Sequence, residues 1–129
     1  MIVDDDEVFV FLTKRKIIEA NFFDQILVFD NGLDSINYLK ENSGNPDLLP
    51  EVIFLDLSMP IMDGWQFLEE YALLQPQMGK TIVIYVVTSS ISPDDLKRAK
   101  SIDAVSDFIV KPIATGKLME VIKELQVAL

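Results

Sequence analysis

The sequence contains no cysteine and no histidine among its 129 residues. The absence of cysteine excludes disulfides, thiolate zinc sites and cysteine nucleophiles. The absence of histidine excludes imidazole metal sites, Ser-His-Asp triads and a phosphohistidine formed on this chain. Any chemistry must therefore use carboxylates, hydroxyls, lysines and backbone groups. These groups favour a hard cation held by oxygen ligands, namely Mg²⁺ or Mn²⁺.

Basic residues are also few. The sequence has 11 lysines and arginines and 21 acidic residues, which gives a net charge of −10. Nucleic-acid binding requires clustered Lys and Arg that neutralise phosphates, so this balance argues against direct binding to nucleic acid. Two interpretations of the acidity stay open at this point: it promotes solubility, or some of the acids gather to hold a cation.

Long apolar runs are absent as well. None approaches the roughly 20 residues that cross a bilayer, and the opening MIVDDDE lacks the positive charges of a signal peptide. We therefore expect a cytoplasmic protein without membrane association. Half of the residues are hydrophobic, which is enough for the core of one domain of about 100–150 residues. We expect a single domain over residues 1–129, with no separate output domain.

Short β-rich segments alternate with helical patterns along the whole chain. The predicted strands cover residues 1–3, 25–29, 52–55, 81–87 and 108–110. The third and fourth are almost continuously apolar, as is typical of parallel strands covered on both faces. The fourth helix is predicted to begin with Ser92 as its cap and Pro93 in its first turn. The pattern predicts a (βα)₅ α/β fold with an open, doubly wound, five-stranded parallel sheet.

The longest predicted loop covers residues 42–50 and contains Gly44, Pro46 and Pro50. It is either tolerated surface length or a lip near a binding face. The mobility and variability of surface loops favour the first interpretation.

Acidic residues follow the first and third predicted strands. Ligands of open α/β sheets bind at the carboxyl ends of the strands, which is where Asp4, Asp5 and Asp6 lie. A divalent cation would relieve the repulsion among these adjacent carboxylates. The alternative is a helix N-terminus, which stabilises acids and fits Asp6 and Glu7 well.

Asp56 follows four apolar residues, where a carboxylate is costly unless it is paired or coordinated. A helix cap or a buried ion pair would also explain it. The next residues favour a site, because Pro60 and Gly64 predict a tight turn with Asp63 near a cap position. Such a turn could direct the backbone carbonyl of Ser58 toward a cation.

The fourth and fifth predicted strands end near Thr88 and Lys111. A simple Ser/Thr turn would explain Ser90 and Ser92 better than Thr88, whose hydroxyl could hydrogen-bond a phosphoryl oxygen. A solvated surface position is the ordinary explanation of a lysine. Pro112 restrains Lys111 to extended backbone, and the bond between them could be cis. Together with the acids, these residues suit phosphoryl transfer to a carboxylate, with Asp56 as the nucleophile.

The order of these residues resembles the receiver domain of two-component response regulators, of the chemotaxis-regulator type. The matching segments are Val3-Asp4-Asp5, Asp56 with the following LSMPIMDG, Thr88-Ser89 and Lys111-Pro112. The resemblance implies a three-layer α/β/α fold with the flavodoxin-like strand order 2-1-3-4-5. The segment SSISPDD and the long loop before the third strand resemble stand-alone receivers.

The resemblance also implies a metal site. Asp56 would be the phosphorylation site, and Asp5, Asp56 and the Ser58 carbonyl would bind Mg²⁺ or Mn²⁺. Asp4 would act largely through water. A pair formed by Asp5 and Asp6 is the alternative, but the family pair directly follows the last hydrophobic residue of the strand, here Val3.

Three further roles follow from the resemblance. Thr88 matches the switch hydroxyl of the family, and Lys111 matches the lysine that contacts the phosphate. Phe108 occupies the position of the switch aromatic, and it would also suit the core beside the fifth strand. Ser58 and Ser90 occupy variable positions that influence dephosphorylation.

The implied partners are proteins. A sensor histidine kinase or a histidine phosphotransfer protein would supply the phosphoryl group. A downstream protein would bind the face made by the fourth helix, fifth strand and fifth helix. The chain would be a monomer or a phosphorylation-linked homodimer, and a phosphoacceptor rather than a turnover enzyme.

Two other functions are alternatives to that of a phosphoacceptor domain. An aspartate-based phosphohydrolase would need a second acid two residues after the nucleophile, where this chain has Ser58, and a cap domain. An interaction module that is never phosphorylated would not need the acids, hydroxyl and lysine together.

Overall fold

A computed structural model describes residues 1–89 and 92–128, without the side chain of residue 128. These residues contain five strands, which span Ile2–Val3 (β1), Val28–Phe29 (β2), Val52–Asp56 (β3), Val83–Thr88 (β4) and Val105–Val110 (β5). The strands are parallel and form one sheet in the order β2-β1-β3-β4-β5. The predicted fold and strand order are therefore confirmed. Ser90, predicted to influence dephosphorylation, lies outside the described residues.

Five α-helices connect and cover the strands. They span Glu7–Ala20 (α1), Gly32–Glu41 (α2), Gly64–Leu74 (α3), Pro93–Lys100 (α4) and Thr115–Ala128 (α5). Short 3₁₀ helices lie at Pro46–Leu48 and Gln75–Gln77. No helix within residues 1–89 and 92–128 is long and apolar enough to cross a membrane.

The sheet has an apolar core on each face. All five residues of β3 are buried, and their side chains alternate between the faces. Ile53 and Leu55 pack in a cluster with residues of α2 and α3. Val52 and Phe54 pack in a second cluster with residues of α1 and α5. This division produces three layers and leaves the carboxyl ends of the strands at one edge.

Side chains cap the helices that begin at this edge. Asp6 accepts hydrogen bonds from two backbone N–H groups of α1, and Asp63 forms a reciprocal capping box with Gln66 on α3. Ser92 caps α4 and Pro93 is its first residue, as predicted. Each cap satisfies N–H groups that have no partner within the helix, and it fixes where the preceding loop ends.

The strand bounds differ from the predictions mainly at the two edges of the sheet. β2 is shorter than predicted because it pairs only with the two residues of β1. β5 begins at Val105, three residues earlier than predicted. Ser106 and Asp107 are exposed and polar, so they interrupt the apolar pattern although their backbone belongs to the strand. The loop over residues 42–50 leads into the start of β3, at the opposite edge from Asp56.

Candidate functional site

The sheet brings three acids together. Val3 and Leu55 are partners in the pairing of β1 with β3, so Asp4 and Asp56 follow them side by side. One carboxylate oxygen each from Asp4, Asp5 and Asp56 lie within 4.8 Å of one another. Asp4 and Asp56 are buried, whereas Asp5 is exposed.

Asp6 has a different place from the other acids. Its Oδ1 accepts hydrogen bonds from the backbone N–H groups of Val8 and Phe9, each at 3.1 Å. Its own N–H donates to Oδ1 of Asp4 at 2.9 Å. Asp6 therefore caps α1. The acids that are grouped with Asp56 are Asp4 and Asp5.

Lys111 lies among these carboxylates. Its Nζ is 2.8 Å from Oδ2 of Asp4 and 3.9 Å from Oδ2 of both Asp56 and Asp6. Only 14% of its side chain is exposed. Its backbone N–H donates to the carbonyl of Thr88 at 2.8 Å, and its bond to Pro112 is cis.

The electrostatic balance of the site is negative. The pKa of Asp56 is raised from 3.8 to about 6. Burial is the largest cause and the charge of Asp4 the next, while Lys111 and a hydrogen bond from the Ser58 backbone partly oppose them. Burial also raises the pKa of Asp4. Apart from Lys111 Nζ, no donor in the described part of the chain reaches Oδ2 of Asp4. One ammonium therefore compensates two buried carboxylates only in part.

This donor set fits a hard divalent cation. All three grouped side chains offer carboxylate oxygens, which are the ligands that Mg²⁺ and Mn²⁺ prefer. A cation would also offset the negative charge that raises the pKa of Asp56. The group could therefore hold a metal ion. The contribution of the Ser58 carbonyl stays a prediction.

Gly64 shapes the loop between β3 and α3. Its N–H donates to the carbonyl of Leu57 at 3.1 Å. A Cβ atom at this position would lie 2.5 Å from the backbone oxygen of Asp56. Only glycine permits this close approach, so the predicted turn brings the start of α3 directly against the end of β3.

The same loop contains strained backbone that the sequence did not reveal. Ile61 and Met62 have φ angles of 52° and 67°, a region that residues other than glycine rarely adopt and β-branched residues such as Ile61 least of all. The carbonyl of Met62 accepts a hydrogen bond from Gly32, the first residue of α2, at 3.2 Å. The loop is thus held against α2 as well as against β3.

The two predicted switch residues lie on neighbouring strands. Thr88 is buried at the end of β4, one residue beyond Val87, the strand partner of Asp56. Phe108 is half-buried, pairs with Val86 and packs against an apolar cluster. Lys100 of α4 lies with its Nζ 5.9 Å from the centre of the Phe108 ring. Phe108 is thus a strand residue that contacts α4; its role as a switch stays a prediction.

A groove of about 640 Å³ opens beside the acids. Its walls come from the ends of β3 and β4, the loops that follow them and the first turns of α3 and α4: Leu57, Ser58, Met59, Pro60, Asp63, Trp65, Thr88, Ser89 and Asp95. The guanidinium of Arg98 lies 4.2 Å from the Trp65 ring and so connects α4 to α3. The groove gives solvent and ligands a route to this edge of the sheet.

Comparison with known protein families identifies the family of this chain. The sequence profile of the response regulator receiver domain matches residues 1–123. The chain belongs to the response regulator receiver domain family. Two-component signalling is therefore its context, and receiver domains in such systems interact with histidine kinases.

Relatives of this receiver domain cover almost its entire length. One relative is a probable methanogenesis regulatory protein, FilR2, from Methanothrix harundinacea, with 28% identical residues. The matched region covers 98% of this chain and 79% of FilR2. This chain is also 26% identical over 96% of its residues to the chemotaxis protein CheY of Bacillus subtilis, 94% of which is covered.

Solved structures share the fold of this receiver domain. A two-component response regulator from Cytophaga hutchinsonii superposes with a TM-score of 0.81 at 24% identity, covering 98% of this chain and 94% of the other. The Mn²⁺-bound form of the response regulator Rcp1 gives a TM-score of 0.72 at 23% identity, covering 98% and 87%. At these identities the likeness concerns the fold alone.

Proposed function

We propose that this receiver domain accepts a phosphoryl group on Asp56 from a phosphohistidine of another protein. The observation that carries the proposal is the convergence of Asp4, Asp5, Asp56 and Lys111 at one edge of the sheet. Asp56 directly precedes Leu57 and Ser58, which form part of the wall of a groove that a donor can enter. The chain has no histidine of its own, so the donor residue belongs to a different molecule.

In the proposed step, a carboxylate oxygen of Asp56 forms a bond to phosphorus. The bond between phosphorus and the imidazole nitrogen of the donor breaks, and the imidazole leaves with its electron pair. The Lys111 ammonium, 3.9 Å from Asp56, would move toward the new phosphoryl oxygens and offset their charge. Thr88, at the end of the adjacent strand, would donate its hydroxyl to one of them.

Mg²⁺ is the proposed cofactor, with Mn²⁺ as a substitute. Asp5 and Asp56 would hold it with the Ser58 carbonyl, and Asp4 would contribute largely through water. The cation supplies positive charge that offsets the charge on the transferred group. The all-oxygen donor set supports this assignment, as does the Mn²⁺-bound state of the structurally similar Rcp1.

Phosphorylation would change a protein-binding surface. In the proposed switch, Thr88 and Phe108 move toward the phosphoryl group, and the face formed by α4, β5 and α5 changes the partner that it prefers. The contact of Lys100 with the Phe108 ring gives α4 a direct connection to that movement. The sensor histidine kinase or phosphotransfer protein acts as donor, and the domain performs a single transfer per signalling event rather than enzymatic turnover.

Labelling with radioactive acetyl phosphate tests the site. We expect the wild-type protein to be labelled in the presence of Mg²⁺ and Asp56→Asn not to be labelled. Asp47→Asn is the matched control, since Asp47 is exposed in the loop at the opposite edge of the sheet, and it should label like the wild type. Undiminished labelling of Asp56→Asn would refute the proposal.

The cation is tested separately. Trp65 lines the groove beside Ser58 and Thr88, so its fluorescence should change when Mg²⁺ binds. The absence of any change, together with unchanged thermal stability in Mg²⁺, would favour a module that is not phosphorylated.

A further inference from the structure

The aromatic ring of Phe9 lies against the ammonium group of Lys111. The distance from Lys111 Nζ to the centre of the ring is 4.5 Å, within the range of a cation–π interaction. Phe9 is 6% exposed, so the ring and the ammonium interact where little water competes. Nothing in the spacing of the sequence places residue 9 beside residue 111.

The carboxylates and the ring make different contacts with the ammonium. Asp4 attracts Lys111 through an oxygen at 2.8 Å, and Asp6 and Asp56 through oxygens at 3.9 Å. Asp6 is half exposed, with 49% of its side chain accessible. These acids alone would allow Lys111 to rotate toward solvent beside Asp6. The Phe9 ring, held in the apolar cluster between the sheet and α1 and α5, adds an attraction that does not depend on one oxygen.

Helix α1 positions the backbone near Lys111 as well. The N–H of Phe9 donates to the capping carboxylate of Asp6, which fixes the first turn of the helix. About two helical turns further along α1, Lys16 Nζ donates to the carbonyl of Ile113 at 2.6 Å. Ile113 follows the Lys111–Pro112 bond, so α1 contacts both the side chain of Lys111 and the chain that carries it.

We propose that Phe9 is a positioning residue for Lys111, whose ring keeps the ammonium within reach of Asp56 before the phosphoryl group arrives. This inference rests on the proposed function, in which Lys111 neutralises the transferred group. A cation–π contact has no strict direction, so the ammonium can slide from Asp4 toward a phosphoryl oxygen while it stays over the ring. Without the ring, a smaller fraction of molecules holds Lys111 near Asp56. The rate of transfer then falls in proportion to the decrease in that population.

Substitution at residue 9 tests this role. Phe9→Leu keeps an apolar side chain but removes the ring, and we expect labelling by acetyl phosphate to slow by about three- to ten-fold, as for loss of a partly desolvated cation–π contact. Phe9→Trp should retain most of the rate. Phe11→Leu is the matched control, because Phe11 is on the same helix but 59% exposed, and its rate should be that of the wild type.

A series of fluorinated phenylalanines at position 9 separates the electrostatic contact from packing. Successive fluorines weaken the attraction of the ring face for a cation while the ring stays nearly the same size. We expect the logarithm of the labelling rate to fall with each added fluorine. A rate independent of fluorination would overturn the proposal even if Phe9→Leu were slow, since packing against the methylene groups of Lys111 would then explain the defect.

An NMR measurement without phosphorylation distinguishes failure of this inference from failure of the proposed function. The ε-methylene protons of Lys111 should be shifted upfield by the ring and lose that shift in Phe9→Leu but not in Phe11→Leu. An unshifted resonance in the wild type would overturn the placement of Lys111 over the ring. Normal ring-shifted resonances in a protein that acetyl phosphate does not label would instead refute the function on which the inference rests.

Discussion

Lys111 is paired with Asp4 more closely than with Asp56. Its Nζ lies 2.8 Å from Asp4 and 3.9 Å from Asp56, although Asp56 is the proposed phosphoacceptor. Asp4 is almost completely buried, and a buried carboxylate without a partner is costly. In the described state, Lys111 therefore stabilises the acidic site, and its proposed contact with a phosphoryl group requires it to move.

Replacing Lys111 by methionine should destabilise the protein. Removing one partner of a buried ion pair leaves an uncompensated charge and costs about 3 kcal/mol or more. The measurement is the free energy of unfolding in urea, without divalent cations. Lys40→Met is the control, since the Lys40–Glu70 pair is 3.7 Å apart and largely exposed; it should cost less than about 1 kcal/mol. Equal effects of the two substitutions would contradict a buried pair at Lys111.

Replacing Asp56 by asparagine should stabilise the metal-free protein, increasingly so as pH rises. The pKa of Asp56 is raised from 3.8 to about 6, so the folded state holds this proton more tightly than the unfolded state. The free energy of unfolding of the wild type therefore falls as pH rises from about 4 to about 6. A shift of about two units corresponds to at most about 3 kcal/mol, which Asp56→Asn should recover at pH 7.

Unfolding of both proteins in EDTA between pH 4 and pH 8 measures this difference. The difference should grow up to about pH 6 and then level off. A difference that does not depend on pH would show that Asp56 titrates normally. Saturating Mg²⁺ should reduce the difference, because the cation stabilises the ionised wild type.

Asparagine substitutions at Asp5 and Asp6 should affect Mg²⁺ binding differently. Asp5 offers an oxygen to the cluster with Asp4 and Asp56, so Asp5→Asn should weaken binding by at least the roughly ten-fold that even an outer ligand contact is worth. Asp6 caps α1, and asparagine caps a helix about as well, so Asp6→Asn should bind nearly as tightly as the wild type. Titration of Trp65 fluorescence measures both. Stronger loss in Asp6→Asn would support the alternative pair of Asp5 and Asp6.

Gly32 should tolerate no side chain, in contrast to Gly44. A Cβ atom on Gly32 would lie 2.3 Å from the backbone oxygen of Met62, whereas one on Gly44 would contact nothing within 4 Å. Gly32→Ala should therefore displace the loop that carries Ser58 and destabilise the protein by about 1–3 kcal/mol. Gly44→Ala should be neutral or slightly stabilising. Thermal unfolding and Mg²⁺ affinity are the measurements, and wild-type values for Gly32→Ala would show that the loop is not held against α2.

Much of the fold could be predicted from the sequence because its patterns are local. The buried strands β3 and β4 are continuous apolar runs, and the capping sequence at Ser92 and Pro93 marks the start of α4. Asp4, Asp56, Thr88 and Lys111 could be assigned to one edge because each follows or ends a strand. Parallel strands then bring these ends together.

The remaining features depend on contacts between distant segments. The start of β5 was missed because Ser106 and Asp107 are polar and exposed, although both belong to the strand and Asp107 pairs with Tyr85 of β4. The contact of Gly32 with Met62 and the placement of Phe9 over Lys111 join residues far apart in sequence. The preference of Lys111 for Asp4 is likewise a matter of distances, which residue spacing does not determine.

The residue that accepts the phosphoryl group can be identified by chemical trapping. The protein is treated with a phosphohistidine donor in Mg²⁺, the acyl phosphate is reduced with borohydride, and the modified residue is identified by peptide mass spectrometry. We predict homoserine at position 56, and no product when EDTA replaces Mg²⁺. Modification at Ser58, Thr88 or another aspartate, with residue 56 unchanged, would contradict it.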